Sequence, residues 1–102
     1  MNLTSKQRAY LKSLAMTISP VQYLGKASLT EENLRNIEEA LAARELIKIG
    51  VQKNCEDDPR EIAEAAALRT RSVVVQVIGK KIVLYRPGED DKRRIELPPA
   101  KR

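Results

Sequence analysis

The stretch Ser72 to Tyr85, SVVVQVIGKKIVLY, constrains this chain most. Two apolar, β-branched runs are separated by Gly79 and Lys80, a two-residue turn, so they are predicted to form a hairpin with a basic tip. Upstream, two further strand-like runs each precede a helical pattern. Val21 to Leu24 ends at Gly25, and Leu46 to Val51 places Ile47, Ile49 and Val51 on one face with Lys48 on the other. Strands joined through helices run parallel, so the chain is predicted to be α/β, in the order α-β-α-β-α-β-β around a mixed four-stranded sheet. On this pattern the first three strands are parallel and the hairpin adds its antiparallel strand at the end.

The helices carry their own start signals. Thr4 followed by Gln7 is a capping box, and Leu11, Leu14 and Ile18 recur at helical spacing, which predicts a helix from about Ser5 to Met16 with Arg8 and Lys12 on its wet flank. Thr30 caps a second helix that has Glu31 and Glu32 in its first turn and Leu34, Ile37 and Leu41 as its stripe, ending near Arg44. Asp58 and Pro59 start a third, with Ile62, Ala65, Ala66 and Leu68 expected inward. After Pro87, GEDDKRR reads as a charged turn, and Ile95 and Leu97 are predicted to return to a sheet edge. With 102 residues the chain fits one domain, taken as 1–97, followed by a flexible basic tail, 98–102.

The net charge of +5 is unevenly spread. Residues 1–30 carry +4 and 65–88 carry +5, both without an acid, whereas 31–64 carry −5. Such segregation predicts one polyanion-facing side and one ordinary solvated side. The first strand runs through Gly25, Lys26, Ala27 and Ser28 into a capped helix, a layout that turns backbone N–H groups outward toward a phosphate. Lys6, Arg8 and Lys12 on the first helix, with Lys80 and Lys81 on the hairpin, are further candidate phosphate contacts. The chain has no Phe or Trp, and Tyr10, Tyr23 and Tyr85 fall where core use is favoured, so little base stacking is expected.

Catalysis finds no machinery in these residues. Histidine is absent, and Cys55, the single cysteine, is placed in a polar loop without a base to activate it. Glu56, Asp57 and Asp58 lack calcium-loop spacing and read as a solvated turn and cap, so neither metal nor cofactor is assigned. No segment resembles a signal peptide or a membrane span, and a cytoplasmic, monomeric protein is expected.

The stretch LTSKQRAYLKSLAMTISPVQYLGKASLTEENLRNIEEALAARELIKI, with the later VVVQVIGKKIVLYRP, resembles the CRM (chloroplast RNA splicing and ribosome maturation) domain, above all the bacterial single-domain YhbY-like proteins. The likeness runs from Leu3 to about Leu97. It implies a fold similar to the C-terminal domain of a translation initiation factor, RNA binding, and association with ribosomal RNA in precursors of the large ribosomal subunit. It also puts the family's RNA-contacting GxxG loop on Gly25 to Ser28, with Ser28 in place of the second glycine. Serine keeps the N–H donor but resists positive φ. The alternative reading is a protein interaction module docking on an acidic ribosome-associated partner; an RNA-modifying enzyme lacks its cofactor loop and base here.

Overall fold

The computed structural model describes residues 2–89 and 93–99. Its elements follow the predicted order: α1 (Ser5–Ala15), β1 (Pro20–Leu24), α2 (Glu31–Arg44), β2 (Leu46–Val51), α3 (Pro59–Thr70), β3 (Val73–Ile78) and β4 (Lys81–Tyr85). The capping box is formed in full. The Gln7 N–H donates to Thr4 Oγ1, and the Thr4 N–H donates back to Gln7 Oε1, both at 3.1 Å. Thr30 caps α2 and Asp58 caps α3 with Pro59 behind it.

The sheet is mixed and four-stranded, but its strand order is β1-β2-β4-β3. β1 pairs parallel to β2, and β4 is antiparallel to both β2 and β3. The antiparallel strand therefore lies inside the sheet, not at its end as the chain order suggested. Burial accounts for this: Ile82, Val83, Leu84 and Tyr85 are all at most 1% exposed, which requires cover on both faces and a neighbour on both edges. β3 keeps Val73, Val74 and Val77 half-buried and suits the edge.

Helices α2 and α3 cover one face, packing Ile37, Leu41, Ile62, Ala63 and Ala66 onto Leu24, Ile47, Ile49, Ile82 and Leu84. The buried stripe of α3 is Ile62, Ala63, Ala66, Ala67 and Thr70. Ala65 is exposed and Leu68 is 81% exposed, because at 100° per residue Leu68 falls on the far side of a stripe centred between Ile62 and Ala67. Cys55 is also relocated: it is 4% exposed and belongs to this core, since the loop folds back under α3.

The opposite face is covered at one end only. There α1 lays Leu11 and Ala15 on Leu46, Val75, Val83 and Tyr85, with Ile95 and Leu97 packed alongside. These two residues return as irregular chain, not as a strand. What holds them is Glu45, 2% exposed, whose carboxylate accepts from the Arg94 N–H at 2.8 Å and the Ile95 N–H at 3.1 Å. Burial first, and the nearby Glu45 carboxylate second, push the Tyr85 phenol above its ordinary range. Pro98 offers its carbonyl to Gln7 Nε2 at 2.9 Å. Part of GEDDKRR (90–92) and residues 100–102 of the predicted tail lie outside the described residues.

Candidate nucleic-acid interface

At the end of β1 the chain reverses through a tight turn, with the Ser28 N–H donating to the Gly25 carbonyl at 2.9 Å. Lys26 and Ala27 occupy its centre, exposed, and their N–H groups have no intramolecular partner among the described residues. The turn is rigidly seated: Asn33 Nδ2 donates to the Ser28 carbonyl at 2.7 Å, and the Gln52 N–H to the Leu24 carbonyl at 2.8 Å. Ser28, not Gly25, takes the left-handed conformation, with φ 58°. Serine thus accepts the backbone that the glycine pattern prescribes, at a steric cost. At Gly25 a Cβ would meet Gln52 Oε1 at 3.0 Å, the mobile end of a polar side chain.

Two more connections share this end of the sheet. The Val51 N–H donates to the Lys80 carbonyl at 2.8 Å, which brings the β2 exit, residues 52–54, beside the hairpin tip. Lys26, Lys53 and Lys80 are all exposed there, and Lys81 is half-exposed. Alternation along the strands puts Tyr23, Gly50, Lys81 and Ile78 in one row across the face that α1 leaves open, since Tyr23 pairs with Gly50, Gly50 with Lys81, and Lys81 with Ile78. Lys48 is on that face one row further in.

The acids of α2 and α3 lie on the other side. α2 presents Glu31, Glu32 and Glu39, and α3 Glu61 and Glu64, all exposed. Asp57 and Glu61 line a small hollow with Ala27 and Ser28, so even the turn has an acidic flank. Some of the basic segment 65–88 is spent on these acids: Arg69 pairs with Glu31 at 3.1 Å, and Arg86 with Glu38 at 2.7 Å. Among the described residues, the lysines at the open sheet face have no acid of α2 or α3 paired with them, unlike Arg69 and Arg86.

Of the residues singled out in the sequence, Gly25, Lys26, Ala27, Ser28, Lys80 and Lys81 come together at this end. Lys6 and Lys12 are exposed on α1, which lies on the same side of the sheet but over its opposite end. Arg8 does not stay in solvent. Its guanidinium donates to the carbonyls of Val74 and Val75 at 2.7 and 2.9 Å, where β3 shifts register against β4, because a bulge leaves carbonyls unpaired. Tyr10 and Tyr23 are 38% and 54% exposed, and only Tyr85 is a core residue. The sequence reading missed Lys48, Lys53 and Tyr23. Gly50 inside a strand was the available signal, since it marks a close approach from a neighbour.

Comparison with known proteins adds the family. The model of the CRS1/YhbY (CRM) domain matches residues 3–86. The chain is 45% identical over 96 residues to YqeI of Bacillus subtilis, named a probable RNA-binding protein, covering 94% of this chain and 99% of that one. It is 43% identical over 96 residues to a Haemophilus influenzae protein named an RNA-binding protein, covering 94% and 95%. A Staphylococcus aureus protein solved in solution superposes with a TM-score of 0.79 at 45% identity, over 95% of this chain and all of that one.

Proposed function

This chain belongs to the CRS1/YhbY (CRM) domain family, and on that premise we propose that it is a cytoplasmic RNA-binding protein holding the phosphate backbone of large-subunit ribosomal RNA during subunit assembly. One observation carries the reading: the Gly25–Ser28 turn, with two unpaired N–H donors, shares one end of the sheet with Lys26, Lys53, Lys80 and Lys81. Backbone donors and lysines of this kind fix a phosphate chain in register without reading its sequence. No reaction is assigned. The protein acts as a monomer that positions RNA.

Two measurements test the proposal. Crosslinking in cells, followed by sequencing of the attached RNA, is expected to recover mainly one segment of large-subunit RNA. Titrating that segment against salt is expected to give a slope of about −3 in log affinity against log salt if Lys26, Lys53, Lys80 and Lys81 each meet a phosphate. A flat salt response, or capture of a protein partner that survives nuclease treatment, sinks the reading in favour of a protein docking module.

A further inference from the structure

The row across the open sheet face contains an aromatic ring that packing does not use up. Tyr23 is 54% exposed, at the β1 end of that row and the residue before the last of its strand. Its ring occupies the space into which a side chain at position 50 would project: a Cβ on Gly50 would collide with Cδ2 and Cε2 of Tyr23. Glycine at 50 thus seats the ring on the sheet, while more than half of its surface stays in water.

The sheet row and the cavity beside the ring carry lysines and no acid. Lys81 is the cross-strand partner of Gly50, on the other side of it from the ring. Tyr23 also lines a shallow cavity of about 460 Å³ with Val51, Gln52, Lys53 and Lys80. Two residues along the chain from Tyr23 begins the turn with the free Lys26 and Ala27 N–H groups.

We propose that Tyr23 is a stacking platform for an unpaired RNA base, flanked by Lys80 and Lys81, while the adjacent phosphate rests on the Gly25–Ser28 turn. This rests on the RNA-binding reading above and narrows it to RNA presenting a splayed base. Three points carry it. The ring already lies over Gly50 in the unbound protein, so it need not be repositioned when a base arrives. It has open aromatic surface, which any base can cover. Lys53 and Lys80 line the cavity beside it, and no acid lines that cavity, so the acidic flank of the turn lies on the side away from the ring's neighbours. A bulge, loop or single strand meets these conditions, whereas a base inside a duplex has no free face to offer.

The test compares two probes, an RNA hairpin with an adenine-rich loop and a blunt RNA duplex of the same length, bound by the full chain at low salt. Tyr23→Ala is expected to weaken binding to the hairpin roughly 10- to 100-fold and leave duplex binding unchanged, as for the loss of one stacked base. Tyr23→Phe is expected to bind as the wild type does. Tyr23→Trp introduces the only tryptophan of the chain, and its fluorescence is expected to be quenched by the hairpin and not by the duplex. Thermal melting confirms that each variant folds. Equal hairpin affinity of Tyr23→Ala and wild type overturns the platform, as does equal weakening toward both probes, or a loss with Tyr23→Phe that matches the alanine variant. Failure of the wild type to bind either probe overturns the RNA-binding reading itself.

Discussion

Replacing Ser28 by glycine is expected to stabilise the protein. Ser28 holds φ at 58°, in the left-handed region, where a Cβ crowds the following carbonyl at a cost of ~1–2 kcal/mol. Glycine removes that cost but adds freedom to the unfolded chain, worth ~0.5–1 kcal/mol in the opposite direction. The bonds that fix the turn involve only backbone atoms of residue 28, its N–H to Gly25 and its carbonyl from Asn33, so both survive the change. The net gain is ~0.5–1 kcal/mol, which for a domain of this size raises the melting temperature by roughly 2–6 °C. Urea denaturation with an unchanged m-value, run beside thermal melting, measures it. RNA affinity is expected to stay equal or rise modestly, since the N–H remains. A loss of stability in Ser28→Gly would show instead that the serine side chain contributes more than its backbone strain costs.

Three further outcomes follow from the same structure. The double change Gly25→Asp with Lys26→Asp is expected to abolish most RNA affinity with stability lowered by no more than about 1–2 kcal/mol, because the new side chains meet solvent and the mobile end of Gln52; unchanged affinity by fluorescence titration would move the contact to the Lys80 hairpin. Cys55→Ser, harmless if the residue were in a solvated loop, is expected to cost about 1–3 kcal/mol by chemical denaturation, since it puts a hydroxyl into the core beneath α3; an unaltered midpoint would contradict the burial. Glu45→Ala is expected to cost about 2–4 kcal/mol and to expose the 93–99 segment to proteolysis, as two backbone N–H groups lose a charged acceptor; protease resistance equal to wild type would show that Ile95 and Leu97 hold the segment unaided.

Much of the architecture was legible locally. Caps at Thr4, Thr30 and Asp58, turn chemistry at Gly79 and Lys80, and the period of the apolar residues are written in neighbours a few positions apart, so element order and the α/β class follow from the chain itself. The Gly25–Ser28 turn and the hairpin lysines were likewise visible as a loop and a basic tip. Charge segregation along the chain marked α2 and α3 as the acidic helices, whose exposed glutamates the structure places away from the open sheet face.

What the chain could not announce depends on partners distant in sequence. β4 lies between β2 and β3 because both of its faces and both of its edges need cover, a condition met only once the sheet assembles. Arg8 turns from surface cation to structural tie because a bulge 66 residues away leaves carbonyls to satisfy. Arg69 and Arg86 pair with glutamates of α2, 38 and 48 positions earlier, which takes them out of the set of unpaired cations. Tyr23 shows the same rule in reverse: a strand tyrosine has core propensity, but α1 covers only one end of its sheet face and a glycine on the neighbouring strand gives the ring its seat. Local periodicity selects the elements; which faces stay open, and which charges stay free, is decided by tertiary packing, because exposure belongs to the assembled surface and not to any one segment.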